Sequence, residues 1–500
     1  MSELVVVYHR QPFERAIVDG VETLRSHRSP NGIVPTLRGF FQHFDRGTWL
    51  AWTEVEAAKA GRIVSREAIA FSGEAYDVAQ LGLTREQVTS FYKVTSKAAL
   101  WPILHSFVDR FDYDAADWAT FREVNERFAE ATCEVAEPGA VVWLHDYNLW
   151  LAPKLIRARR PDLRLAFFHH TPFPGSDVFG VLPWRTEITE SLLSCDRVGF
   201  HVPRYTENFA TVARAFAGAR VTKRQPVADR LQPDGWALQE TSVVTELEWN
   251  GRRIHVDTVP LGVNVDRITE TVAQDVTQRR AREIRAGSGV ETLCFAVSRA
   301  DYTKGTVELL DAFARLLERR PALIGHIKLH VVCVPPAPGI RVYDEIQSAI
   351  EQRVGNINGR FATLDWAPVV LFAQPLPFDE LMAWYLASDI CLVTALRDGL
   401  NLVAKEFIAT KQGQDGRLVL SEFAGAAVEL DAAVLTHPYS ARSMDRALDE
   451  ALDLSPEDER ARAARLWDVT RTHDLAWWTR EMLGRLGIAD DAAATKAPAA

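Results

Sequence analysis

The feature that most limits what this chain can fold into is a set of eight short runs in which apolar residues follow one another with little polar alternation. They are LVVVY (4 to 8), VVWLHDY (141 to 147), LRLAFFHH (163 to 170), RVGFHV (197 to 202), TLCFAVSRAD (292 to 301), IKLHVVCVP (327 to 335), ICLVTALRDG (390 to 399) and RLVLSEFAG (417 to 425). A strand wetted on one face alternates; a strand apolar at nearly every position needs cover on both faces, which is the condition of a parallel sheet between helices. FREVNERFAEATCEVA, TVELLDAFARLLERR and DELMAWYLASD carry apolar residues at helical spacing and predict those covers. The class is α/β. One strand cluster ends near residue 225 and the other begins near 292, with a polar, weakly patterned segment between, so two Rossmann-like lobes are predicted. RRIHVDTVPLGVNVD (252 to 266) is read as the join, punctuated by Pro260 and Gly262.

Composition narrows the function classes. With 57 basic against 67 acidic residues the net charge is −10, and 47% hydrophobic with 25% charged residues excludes disorder, collagen and coiled coil. An acidic balance argues against a surface for nucleic acid, which needs clustered Lys and Arg. Cys133, Cys195, Cys294, Cys333 and Cys391 form no CxxC and no His/Cys ligand spacing, so neither zinc nor a disulfide framework is predicted, and a cytoplasmic location fits. The first residues, MSELVVVYHRQPF, hold too short an apolar run for a signal or a membrane span and read as a first strand.

The chemistry-bearing segments lie where strands end. In TALRDGLNLVAKEF (394 to 407) a strand meets Arg397, Asp398 and Gly399 and then a helix, so free N–H groups and the helix dipole face the turn and suit phosphate. Asp398 can meet sugar hydroxyls and Glu406 can reach back along the helix; a cap and a surface charge read equally well. In FAVSRADYTKGTVELL (295 to 310) Arg299 and Lys304 precede Gly305 and a helix, two cations that suit a diphosphate or a structural ion pair. In the first lobe, Asp146 and the pair His169, His170 end strands, but adjacent residues of an extended segment point to opposite faces, so no metal site is predicted. Ser176 and Asp177 lack a nucleophile elbow, and GxGxxG and Walker motifs are absent. Trp49, Trp52, Tyr92 and Trp101 suit the core, or, beside Lys93 and Lys97, a polar substrate.

In order along the chain, HDYNL, HTPFP, VLPWR, SRADYTKG, NGRFATLDWAP, LRDGLNLVAKE and LSEFAGAA resemble the trehalose-6-phosphate synthase family of retaining glycosyltransferases, from Val5 to about Leu483. The resemblance implies a GT-B fold, two Rossmann-like lobes with parallel sheets facing across a substrate cleft. It implies an acceptor lobe over 1–255, a nucleotide-sugar donor lobe over 256–468, and a helix at 469–485 returning to the first lobe, followed by a frayed tail at 486–500. Carried over by position, catalysis falls to Arg299, Lys304, Asp398 and His170. The donor is bound by Gly32, Arg299, Lys304, Asp398, Gly399, Asn401, Leu402, Val403 and Glu406. The acceptor is bound by Arg10, Trp52, Tyr92, Lys97, Trp101, Asp146 and Arg341. Neither cofactor nor metal is implied, the nucleotide sugar being a substrate and the two cations neutralising the leaving diphosphate.

Departures from the family pattern concentrate on the acceptor side. This chain has YHR and SPNGIVPTL where SNR and a GG loop are usual, FYKVTSKAALWP with Lys93 and Lys97, and Ala337 with Arg341 where an arginine follows the CVP strand. The pattern resembles the glucosylglycerol-phosphate synthases, the branch that joins glucose from ADP-glucose to sn-glycerol 3-phosphate in compatible-solute synthesis. The implied product is handed to a separate phosphatase, and a homo-oligomer is left open. Transfer to glucose 6-phosphate, giving trehalose 6-phosphate, and a catalytically silent sugar-nucleotide sensor are the competing readings.

Overall fold

The computed structural model describes residues 1–18, 21–25, 32–44, 46–71, 74–231, 236–335 and 340–488, with backbone alone at 14–18, 21–25, 70–71 and 74–75. Ala337 and the tail beyond 488 lie outside the described residues, as do residues 29–31 of the SPNGIVPTL loop. The chain divides into two compact units. The first comprises Met1–Val227, Glu240–Pro260 and the chain from Trp478; the second comprises Ala228–Gln239 and Leu261–Trp477.

The first unit is built on a ten-stranded sheet. Its centre is parallel and runs Arg252–Thr258, Arg197–Phe200, Arg164–His169, Ala136–His145, Ser2–Val7, Gly47–Glu54, Glu74–Leu83. Ser2–Val7 lies between Ala136–His145 and Gly47–Glu54, so chain order reverses at this strand. In an open α/β sheet such a reversal leaves a crevice at the carboxyl ends of the strands. Antiparallel strands close both edges: Ile63–Phe71 on one side, Ser242–Trp249 with Arg220–Pro226 on the other. The segment read as a polar join is thus corrected in part, since Arg252–Thr258 is a sheet strand paired in parallel with Arg197–Phe200. Burial of Trp478, which packs on Phe40, Trp143 and Phe168 at 5.5 to 5.9 Å between ring centroids, ties the helix Leu475–Leu486 into this unit from Trp478 onward.

The second unit has a six-stranded, wholly parallel sheet in the order Val369–Phe372, Ile327–Val334, Thr292–Arg299, Ile390–Val393, Arg417–Ser421, Val434–Thr436. Side chains alternate between two cores. Cys294 and Ala296 face Leu309, Leu310, Phe313 and Ile350, while Phe295 faces Met382, Tyr385 and Phe407. Both faces are covered, which is why these strands read as unbroken apolar runs. Order reverses between Thr292–Arg299 and Ile390–Val393, and the two phosphate-type motifs follow these two strands.

Candidate functional site

In the second unit the two motifs form one structure. After Arg299, the Asp301 carboxylate accepts hydrogen bonds from the Thr303 N–H at 3.0 Å and hydroxyl at 2.9 Å, folding a tight turn over Tyr302–Lys304. Gly305 ends it at φ 66°, and a Cβ there would stand 2.0 Å from the Thr394 carbonyl oxygen, so only glycine lets the two strand ends close. The Leu396 N–H donates to the Thr303 carbonyl at 2.8 Å, stitching the second loop to the first. Gly425 serves the same purpose from LSEFAGAA, where a Cβ would meet the Gly399 oxygen at 2.2 Å.

This stitching brings charge together. The Lys304 ammonium donates to Asp398 Oδ2 at 2.7 Å, with both side chains about one-sixth exposed. Asn401 Nδ2 donates to the same oxygen at 3.0 Å while its Oδ1 caps the helix Leu402–Lys411 by accepting from the Ala404 N–H. The N–H groups of Leu402 and Val403 belong to a helix's first turn, which lacks intrahelical acceptors. Arg299 lies half-exposed with Asp301 3.4 Å away. Glu406 is buried rather than a surface charge, and accepts from the Tyr385 hydroxyl at 3.3 Å. Its neighbour Lys405, also buried, donates to Glu429 at 2.5 Å and to the Leu261 carbonyl at 2.8 Å, and Glu429 accepts in turn from Arg230 at 2.7 Å. Sequence reasoning missed this buried trio; the AKE tripeptide shows a lysine on a core helix, but its partners lie far away in sequence. Arg341 opens the helix Arg341–Phe361, its side chain 89% exposed and bonded to Glu345, so it rests on a solvated i,i+4 pair. That helix start packs on the cation turn through Tyr343 and Tyr302, whose rings stack at 6.3 Å.

In the first unit, residues gather where strand order reverses. Tyr8, His9 and Arg10 follow Ser2–Val7, Asp146 follows Ala136–His145, and His170 follows Arg164–His169. Arg10 donates to the Tyr92 hydroxyl at 3.2 Å. Lys97 is buried, its ammonium 3.8 Å from the Trp101 ring centroid and 5.7 Å from that of Tyr92. Lys97 is therefore not a solvated helix-face lysine. Thr89–Leu100 is wound as a π-helix, a wide winding with i→i+5 bonding that is rare and clusters at functional sites. The Ser96 hydroxyl donates to the Phe91 carbonyl and accepts from Asn148, pinning the turn that carries Lys97. Trp52 is half-buried on Gly47–Glu54, and its carbonyl accepts from Gln11 at 2.8 Å. Gly32 precedes the helix Ile33–Arg38.

Burial sets the protonation here. Asp146, at a positive φ of 69°, is pushed up to about 6, mainly by desolvation. Burial drives His145 and His170 well below the ordinary histidine range and His169 down to about 3, so all three are neutral. His145 Nδ1 and His170 Nε2 share a hydrogen bond at 3.1 Å, which fixes the His170 ring. Among the described residues no group of three or more His, Cys, Asp or Glu side chains could hold a metal ion. No helix among them is long and apolar enough to cross a membrane.

Comparison with known proteins identifies the family. The family model for glycosyltransferase family 20 matches residues 2–487. A glucosylglycerol-phosphate synthase of Synechocystis sp. is 46% identical, with 96% of this chain and 97% of that protein covered. A trehalose-6-phosphate synthase of Mycolicibacterium gilvum is 36% identical over 97% of this chain and 93% of its own length. Among solved structures, an α,α-trehalose-phosphate synthase (UDP-forming) from Burkholderia xenovorans, in complex with glucose-6-phosphate, is similar with a TM-score of 0.83 at 28% identity, covering 97% of this chain and all of that one. Two α/β units with parallel sheets, phosphate-type turns at a strand-order reversal and a family match over nearly the whole length have one common explanation: the chain belongs to glycosyltransferase family 20 and is a glycosyltransferase of the GT-B fold.

Proposed function

We propose that this enzyme transfers glucose from ADP-glucose to sn-glycerol 3-phosphate with retention at the anomeric carbon, giving 2-O-(α-D-glucopyranosyl)-glycerol 3-phosphate. The observation that carries the acceptor is the buried ammonium of Lys97 against Trp101 and Tyr92, with Arg10 on the Tyr92 hydroxyl. Two cations held beside aromatic rings suit a small phosphomonoester, which forms charge-assisted hydrogen bonds with both. Greater identity to the glucosylglycerol-phosphate synthase than to the trehalose-6-phosphate synthase supports the same choice.

In this reading Arg299 and Lys304 bind the donor diphosphate, with the N–H groups of Leu402 and Val403; Asp398 binds glucose hydroxyls, Glu406 the ribose and His170 the glucosyl group. The glucosyl C1–O bond to the diphosphate breaks, the acceptor oxygen bonds to C1 on the same face, and its proton passes to a leaving phosphate oxygen. The protein's part is orientation and charge stabilisation. Arg341, solvated and paired with Glu345, is the weakest of the acceptor assignments.

The competing reading, glucose 6-phosphate as acceptor, is favoured by the solved relative that carries that ligand. A matrix of ADP-, UDP- and GDP-glucose against glycerol 3-phosphate and glucose 6-phosphate decides between them. The proposal expects the higher kcat/KM with glycerol 3-phosphate, an α-linked product and activity that survives chelation by EDTA. A higher kcat/KM with glucose 6-phosphate overturns the acceptor, and a β-linked product overturns the mechanism.

A further inference from the structure

His9 stands at the carboxyl end of Ser2–Val7, where strand order reverses. Its side chain is 5% exposed, and among the described residues neither Nδ1 nor Nε2 has a hydrogen-bond partner. His105, His145, His169 and His170 are buried too, yet each has a ring nitrogen in a hydrogen bond. A buried polar group without a partner lowers stability, and such groups in a native fold mark a strained or functional position.

The surroundings indicate what the missing partner is. The His9 ring lies 4.5 Å from Tyr8 and 5.5 Å from Tyr92 between centroids, and Tyr92 is the residue that touches both Arg10 and Lys97. Burial and the positive fields of Arg10 and Lys97 keep the imidazole uncharged. A neutral imidazole presents one donor and one acceptor. A phosphate dianion offers acceptors only, whereas a hydroxyl offers both. The complete set, two cations beside one donor and one acceptor, matches a small phosphorylated polyol: the cations take the phosphate, and the ring takes the hydroxyl.

We propose that His9 is an acceptor-binding, specificity-determining residue whose ring nitrogens bond a hydroxyl of the phosphorylated acceptor, an inference that rests on the acceptor reading above. Its signature is a separation of function from stability. His9→Phe keeps a ring of similar shape and removes both unmet nitrogens, and His9→Gln keeps one donor and one acceptor on a flexible stem. In steady-state assays His9→Phe is expected to raise the KM for glycerol 3-phosphate by roughly tenfold or more, to leave the KM for ADP-glucose within about twofold, and to match or exceed the wild-type Tm. His9→Gln is expected to recover part of the lost acceptor affinity.

Unchanged KM for glycerol 3-phosphate in folded His9→Phe overturns the proposal. So does a lowered Tm or a failure to fold, which shows the ring nitrogens to be structural. Wild-type enzyme that turns over glucose 6-phosphate but not glycerol 3-phosphate rejects the acceptor reading instead, and the same variants assayed with glucose 6-phosphate then decide the role of His9 by the same criteria.

Discussion

Lys304 and Asp398 each neutralise a charge that the other would otherwise leave half-buried, and both lie in the turns that close on Gly305 and Gly425. Lys304→Ala is expected to lower kcat/KM for the sugar nucleotide by roughly 10²-fold, the scale for one preorganised charge contact. Near-normal kinetics with an unchanged circular dichroism spectrum would refute that role. Asp146 yields a pH test. Its carboxyl, raised to about 6 by burial, is ionised above that pH and protonated below it. If the ionised form accepts from the acceptor, kcat/KM for glycerol 3-phosphate falls below about pH 6, and Asp146→Asn lowers the plateau and removes this limb. These residues could be singled out in the sequence because each follows the end of an apolar run, where a buried strand leaves the core and a charge can be paired or solvated. Lys97 and His9 were harder to read. A lysine two turns into an amphipathic stretch looks solvated, and only the wide winding of Thr89–Leu100 and the rings of Tyr92 and Trp101 bury it.

Among the elements, legibility followed burial. Thr292–Arg299 and Ile390–Val393 announce themselves because both faces are dry, and Thr306–Arg319 because its apolar stripe covers one of them. Arg220–Pro226 is mostly exposed and reads RVTKRQP, and Ser242–Trp249 and Arg252–Thr258 form an antiparallel hairpin at the sheet's side, where pairing sets the strand and composition leaves little trace. The winding of Thr89–Leu100 leaves no sequence period either, since its stabilising contacts come from Asn148 and neighbouring helices. The Lys405–Glu429–Arg230 trio joins three stretches of chain far apart in sequence. Lys405→Met leaves Glu429, fully buried, with one cation, and a loss of roughly 3 to 5 kcal/mol is expected from urea denaturation. Adding Glu429→Leu should restore much of it, because Arg230 is a quarter exposed and can turn to water; no recovery in the double variant would show that the trio is not the cause.

At the scale of the molecule, the buried histidines make stability depend on pH. His9, His145, His169 and His170 all have folded pKa values below the unfolded value near 6.5, so the unfolded chain binds more protons and stability is lost as pH falls through that value. Each contributes up to about 1.4 kcal/mol per pH unit, and Asp146, raised rather than lowered, opposes them with a single proton between about 6 and its unfolded value near 4. The urea midpoint is therefore expected to be lower at pH 5.5 than at pH 7.5, and an equal or higher midpoint at pH 5.5 would contradict it. The course of the chain has a consequence for synthesis. The first unit lacks Trp478 until about 220 residues of the second have been made, roughly 10 to 45 s at ordinary elongation rates. During that interval Phe40, Trp143 and Phe168 await the indole that covers them, while Arg230 leaves the ribosome long before Glu429 exists to receive it. A chain ending at Trp477 should therefore require a chaperone or precipitate, and the two halves expressed separately should each fail to mature. For this polypeptide, emergence from the ribosome and completion of its first unit are separate events, and nascent-chain quality control has a window between them.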